Sequence, residues 1–154
     1  MFSSEKVFFF LHIVGVVAWL GGWTALWVLQ VRFRKEQDSN VQLVLLRQSE
    51  FYGRAVVGAA AAVTLIAGII LANREGVEFS TAWIVWGIVG LVASMALGGT
   101  VMRATTAKLE GLITTAPADD PARLATQRRL DLLNWINLLI LLSVVFAMVF
   151  KPGS

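Results

Sequence analysis

His12 is the residue of this sequence with the clearest capacity for chemistry. It is the only histidine, and the chain has no cysteine, which excludes disulfides, thiolate metal sites and cysteine nucleophiles. His12 lies in a run of uncharged residues, 7–30. An ionisable side chain within such a run is costly in a membrane and marks a candidate functional site. A b-type haem needs only one or two axial ligands and an apolar slot, so it is the cofactor that this inventory best permits.

Small residues on the helical face of His12 predict space beside it. At intervals of three and four residues this face contains two glycines and a tryptophan: Gly15, Trp19 and Gly22. Gly87 in a later span lies at about the same depth, and Met148 brings a thioether to that depth from the last span. A flat ligand in this groove, with His12 as the metal ligand, is one hypothesis. A closely packed neighbouring helix is the other.

Two roles for His12 are equally compatible with the sequence. It is either an axial ligand, with Met148 or the His12 of a second chain as the other ligand, or a neutral imidazole hydrogen-bonded to a carbonyl of a neighbouring helix. Catalysis by side chains is disfavoured, because the sequence has no Ser-His-Asp pattern, no carboxylate pair within the spans, no phosphate-binding loop and no zinc spacing. With haem bound, Arg74 or Lys151 would pair with its propionates near the outer surface.

The composition is that of a membrane protein. Of the 154 residues, 57% are hydrophobic and only 15% are charged, and the mean hydropathy is +0.73. A soluble domain of this length would expose too much apolar surface. We therefore expect one membrane domain over residues 1–154. The net charge of +3 does not indicate a nucleic-acid partner, because the basic residues lie in loops beside the spans.

Four apolar stretches are long enough to cross a bilayer as helices, which takes about 20 residues. They are residues 7–30, 55–72, 82–102 and 132–150. Ten of the thirteen basic residues lie in the two long connections, 31–54 and 103–130. The positive-inside rule therefore predicts that both connections are cytoplasmic and that both termini are outside, in a bacterial inner membrane. The predicted fold class is all-α, an up-down-up-down bundle of four transmembrane helices with cytoplasmic helical extensions.

Sequence signals for helix starts predict where those helical extensions begin. The apolar spacing after Asn40 is helical and continues into the second span. Asp120 followed by Pro121 is typical of a helix start, which predicts a fourth helix that runs to Phe150. The third helix is expected to end near Leu112, with a turn at 114–119.

Other residues of the spans have a simpler interpretation. Small residues in the second and third spans predict close helix packing. Trp83 and Trp86 fit an outer aromatic belt, whereas Trp19 and Trp23 must pack inside or line a pocket. A polar stripe enters the fourth span and is expected to hydrogen-bond neighbouring helices: Asp131, Asn134 and Asn137.

The stretch from His12 to Gly22, HIVGVVAWLGG, resembles the first span of HemJ-type protoporphyrinogen oxidases and CopD-type copper resistance proteins. Thr64 and Gly68 resemble the threonine–glycine pair of that superfamily. The ending MVFKP, residues 148–152, is more similar to a bacterial branch of predicted integral membrane proteins of unknown function.

The HemJ resemblance implies a haem-ligand role for His12. The lysine that the HemJ type carries four residues after a tryptophan of the third span falls on Gly87, counted from Trp83. That departure argues against protoporphyrinogen oxidase activity and leaves haem binding open.

The preferred functional hypothesis is a membrane protein that binds a b-type haem or a similar flat ligand near the outer face through His12, for electron transfer or haem handling. The alternative is a structural or accessory subunit without a cofactor, within a homodimer or a larger membrane complex. A small transporter or a copper-handling protein ranks third, since no span contains a carboxylate for ion coupling and the ligands for copper are poor.

Overall fold

In a computed structural model, residues 4–36 and 38–152 are described, and all regular secondary structure within those ranges is helical. The helices are α1 (Ser4–Phe33), α2 (Ser39–Tyr52), α3 (Ala59–Arg74), α4 (Ala82–Ala96), α5 (Arg103–Thr115) and α6 (Pro121–Phe150). Two wider, π-helical segments join consecutive helices without a break. The first π-helical segment, Gly53–Gly58, joins α2 to α3, and the second, Leu97–Met102, joins α4 to α5.

Local signals account for the helix boundaries. The carboxylate of Asp38 accepts the backbone N–H of Asn40 at 2.8 Å, and Asp120 accepts the N–H groups of Ala122 and Arg123 at 2.8 and 3.0 Å. Both predicted starts are therefore confirmed. The third continuous helix ends at Thr115 rather than near Leu112, so the predicted 114–119 turn is shorter than expected.

Four continuous helices are long and apolar enough to span a membrane: Ser4–Phe33, Ser39–Arg74, Ala82–Thr115 and Pro121–Phe150. A helix of 30 residues is about 45 Å long, and the hydrocarbon core of a bilayer is about 30 Å thick. Each helix is therefore longer than the core is thick, as predicted for the second, third and fourth helices.

The bundle has two chemically different ends. We call the end with residues 4, 75–81 and 152 the terminal end; there Arg74 donates to the Ser4 hydroxyl and lies over the Phe8 ring. The opposite end, with residues 34–36, 38 and 116–120, is called the basic end. It contains the helical extensions and most of the basic residues.

The bundle is built from two tightly packed helix pairs, α1 with α3 and α4 with α6, and contacts between the pairs are few. Glycines allow the close approach within each pair. A Cβ on Gly15 of α1 would lie 2.5 Å from the Thr64 hydroxyl and 3.2 Å from the Ala60 carbonyl oxygen of α3. A Cβ on Gly90 of α4 would overlap Val144 of α6. The predicted close packing of small residues is confirmed at Gly90 of the third span, and a cleft remains between the pairs.

The helical extensions enclose a small core of their own at the basic end. It contains five buried apolar side chains: Leu46, Met102, Leu109, Ile113 and Leu130. Arg47 of α2 pairs with Glu110 of α5, and Arg34 pairs with Asp131 of α6. Buried Arg123 donates to the Ala116 carbonyl and to Gln42, which ties both connections to α6.

Two sequence expectations for the spans have opposite outcomes. Asn137 is fully buried and accepts the Ser94 hydroxyl at 2.6 Å, so the predicted hydrogen bond between helices is confirmed there. It is wrong for Asn134, which donates to the Leu130 carbonyl of its own helix. The aromatic-belt prediction is wrong for Trp83, which is only 9% exposed because its ring packs into the bundle beside Ala147. Trp86, in contrast, is 54% exposed.

Candidate functional site

The cleft between the helix pairs widens at the terminal end into a cavity of about 300 Å³. All four spanning helices contribute to its wall. Its lining is mainly apolar, and it includes four of the residues predicted as site residues: His12, Trp19, Gly87 and Met148. We call this space the terminal-end cavity.

His12 is held in one orientation by its own helix pair. Its Nδ1 lies 2.9 Å from the backbone carbonyl oxygen of Thr64 on α3, so Nδ1 carries the hydrogen and donates it. Gly68, one turn further along α3, makes room for the ring, since a Cβ there would lie 3.0 Å from His12 Cε1. The imidazole is thus braced by two backbone positions of α3.

This hydrogen bond determines which nitrogen of His12 is available. With the proton on Nδ1, Nε2 has a free lone pair in the neutral ring. Metal-binding histidines usually donate the other ring N–H to a carbonyl or a carboxylate, which fixes both the tautomer and the ring orientation. The bond is also the one expected if His12 only links two helices. The geometry therefore agrees with both roles that the sequence left open.

Met148 reaches the cavity from the other helix pair. Its terminal methyl group fills the notch left by Gly87, where any Cβ would overlap it. The space that Gly87 provides thus accommodates a side chain of α6. Met148 and His12 stand on walls that belong to different helix pairs.

Gly15 and Gly22 do not line the cavity. Gly15 lies against Thr64 and Ala60, and a Cβ on Gly22 would lie 3.2 Å from Val57. Both glycines belong to the seam between α1 and the continuous helix that contains α3. At these two glycines the space is occupied by a closely packed neighbouring helix, which was the second of the two hypotheses for the groove.

Three further residues around the cavity lie outside the set that the sequence predicted to contact a cofactor. The Thr64 carbonyl has no sequence signal, since any residue supplies one. Trp83 lines the wall, and Lys151 lies over its ring, with the ammonium nitrogen 5.1 Å from the ring centre. Of the two predicted partners for propionates, Lys151 lines the cavity, whereas Arg74 is directed to Ser4 and Phe8.

Among residues 4–36 and 38–152, no group of three or more His, Cys, Asp or Glu side chains is arranged to hold a metal ion. A metal held by His12 would therefore have to bring most of its own ligands, as the iron of a porphyrin does.

Comparison with known proteins gives one match. A family model described as "Predicted integral membrane protein (DUF2269)" matches residues 6–152, nearly the whole chain. No curated protein and no solved structure matches. The resemblance to a family of predicted integral membrane proteins is confirmed, whereas the relation to the HemJ and CopD types stays a prediction.

Proposed function

The chain belongs to the DUF2269 family of predicted integral membrane proteins, and from that premise we propose that it binds a b-type haem or a similar flat ligand through His12. The ligand occupies the terminal-end cavity, and the role is electron transfer or haem handling. We place the protein in a bacterial inner membrane with the terminal end outside, because the basic residues lie at the other end.

The observation that carries the proposal is the orientation of His12. The bond from Nδ1 to the Thr64 carbonyl leaves Nε2 as the ligand atom and prevents the ring from turning away. Because the acceptor is a backbone atom of a packed helix, the orientation does not depend on any mobile side chain. A preoriented nitrogen on an apolar wall is what a b-type haem requires of its protein.

The cavity also fits such a ligand in its chemistry. Its volume of about 300 Å³ lies at the lower end of the range for small-molecule sites. Its exposed lining residues, such as Ile13 and Val149, face the bilayer, so a larger ring would extend between the helix pairs toward lipid. Met148 on the opposite pair offers a soft sulfur ligand, and Lys151 at the rim offers a charge for a propionate. Haem itself supplies one-electron redox chemistry when bound.

An absorption spectrum of the purified protein tests this proposal. Protein produced with adequate haem supply should show a Soret band, and His12→Ala should abolish it. Leu26→Ala is the matched control, because Leu26 lies lower on α1 and outside the terminal-end cavity. It should leave the band in place. The proposal fails if folded wild-type protein purifies without haem and takes up none when haem is added.

The second candidate function is a structural or accessory subunit of a membrane complex, without a cofactor. It is favoured by the same His12 bond, because that contact links α1 to α3 beside the Gly15 seam. Under this hypothesis His12→Ala lowers the unfolding temperature, and neither protein has a haem spectrum. The partner would be a second copy or another membrane subunit.

A further inference from the structure

The same cleft widens a second time, toward the basic end, into a cavity of about 330 Å³ that we call the basic-end cavity. Its inner part is apolar, with contributions from both helix pairs: Leu26, Val57, Met102 and Leu130. Its outer part carries charged side chains, namely Arg54, Arg103 and Glu50. An amphiphilic molecule matches that division between an apolar interior and a charged rim.

The side chains of the two arginines at the rim have no partner in the part of the chain that the structure describes. Neither the Arg54 nor the Arg103 guanidinium makes an ion pair or a hydrogen bond to any residue in the described ranges 4–36 and 38–152. One carboxylate, Glu50, shares the rim, so the local charge remains positive. Arginine binds phosphate through paired, charge-assisted hydrogen bonds, which makes a phosphate group the natural counter-charge.

Both arginines are placed by irregular backbone. Arg54 lies within the first π-helical segment, and Arg103 directly follows the second. Residues of both segments, including Gly53 and Gly98, line the basic-end cavity. π-helical turns are rare and are frequently found at functional sites. Here two of them, on different helix pairs, flank one cavity.

Two tryptophans of the wall are short of hydrogen-bond acceptors. The indole nitrogens of Trp23 and Trp27 are buried and have no partner among the described residues, and both rings line the basic-end cavity. A buried N–H without an acceptor is unfavourable. The nitrogens are covered in this structure, so each ring has to turn before its N–H reaches a ligand. The phosphate and ester oxygens of a lipid are acceptors of the required kind.

From these observations we propose that the basic-end cavity binds an anionic phospholipid, whose phosphate pairs with Arg54 and Arg103 while an acyl chain occupies the cleft. The apolar interior favours a lipid over free phosphate, and an arginine pair favours an anionic headgroup over a zwitterionic one. This proposal is independent of the haem hypothesis, since no residue that carries it contributes to holding the haem.

Thermal unfolding of the purified full-length protein in detergent tests this assignment. Added phosphatidylglycerol should raise the unfolding midpoint, whereas phosphatidylcholine and inorganic phosphate should not. In the Arg54→Gln/Arg103→Gln double variant the apparent affinity for phosphatidylglycerol should fall about tenfold or more, as loss of about 1.4 kcal/mol of binding free energy implies. The matched control is Arg128→Gln/Arg129→Gln, which removes the same charge from exposed positions of α6 outside the cavity.

A second variant tests the cavity without touching its charges. Gly98→Leu places a side chain in the cavity, where the nearest atom to a new Cβ, Trp23 Cζ3, is 3.9 Å away. It should weaken the stabilisation by phosphatidylglycerol, whereas Gly111→Leu, in open space on α5, should not.

Four outcomes would overturn the proposal: no effect of phosphatidylglycerol on the wild type, an equal effect of inorganic phosphate, an equal loss in the Arg128/Arg129 control, or full retention of the effect in Gly98→Leu. The haem spectrum of each of these variants should match that of the wild type. A wild-type protein without a haem spectrum would count against the haem hypothesis and not against lipid binding.

Discussion

The terminal-end and basic-end cavities lie in one cleft between the same helix pairs and have similar volumes, about 300 and 330 Å³. Their chemistry differs. The terminal-end cavity has a fixed imidazole on an apolar wall. The basic-end cavity has two arginine side chains at its rim and two indole N–H groups in its wall, all four without a partner among the described residues. Size therefore does not distinguish the two cavities, whereas the positions of a few polar groups do.

The two cavities also differ in the helix geometry of the backbone around them. Beside His12, α1 and α3 are regular helices, and their glycine seam holds the carbonyl of Thr64 against the ring. Around the basic-end cavity, one helix of each pair, α3 or α4, continues into a π-helical segment. A rigid seam suits a site that must hold one atom in place, whereas widened turns suit a site that must make room for a chain.

The largest expected effect concerns the compartments that the two cavities face. Because the chain has no cysteine, a single introduced cysteine reports on one position. Cysteines at Ser39 and Asp119, at the basic end, should resist a membrane-impermeant thiol reagent in intact cells, and one at Glu75 should react. The opposite labelling pattern would place the terminal-end cavity inside and the basic-end cavity outside, and the predicted orientation would be wrong.

The next largest effect is expected at Trp19, the residue that lines both cavities. Trp19→Ala should join the two cavities and lower the free energy of unfolding by about 3–5 kcal/mol, since the side chain is only 6% exposed and its loss leaves a void. Titration with a denaturing detergent measures this change. Trp19→Phe keeps an aromatic ring in the wall, so its free energy of unfolding should fall much less. An Ala variant as stable as the wild type would mean that Trp19 does not separate the sites.

A smaller loss of stability is expected from a substitution in the seam between α1 and α3, outside both cavities. Gly15→Ala should cost about 1–3 kcal/mol, because the new Cβ would press on Thr64 and on the Ala60 carbonyl, and helices in contact must then move apart. Gly21→Ala is the control on the same helix, with nothing within 4 Å of the new Cβ. It should be neutral or slightly stabilising.

Gly15→Ala also distinguishes the two ligands. It displaces the backbone that orients His12, so haem retention should fall while stabilisation by phosphatidylglycerol persists. If both responses fell equally in protein that remains folded, the two cavities would not be independent sites.

Much of the fold follows from local signals. Asp38 and the Asp120–Pro121 pair begin helices because side-chain oxygens satisfy the free N–H groups of a first turn. The number of spans follows from hydropathy, which depends on composition alone. Sequence reasoning also chose His12, Trp19, Gly87 and Met148, all of which line one cavity.

The remainder of the site depends on how the helices pair. Gly15 and Gly87 carry the same signal in sequence, a glycine on an apolar helical face. In the structure Gly15 meets the backbone of α3, while Gly87 receives the methyl group of Met148. Trp83 and Trp86 likewise stand three residues apart, yet one is buried and the other exposed. A pattern along one helix does not specify the rotation of that helix against its partner.

By itself, the sequence determined that this chain forms four long apolar helices and where two of them begin, because caps and hydropathy are properties of short stretches. Only the tertiary structure decided that α1 pairs with α3 and α4 with α6, that a cleft with two cavities lies between the pairs, and that Thr64 offers its carbonyl to His12. The physical reason is that helix association in lipid depends on the fit of facing surfaces, which no single stretch contains.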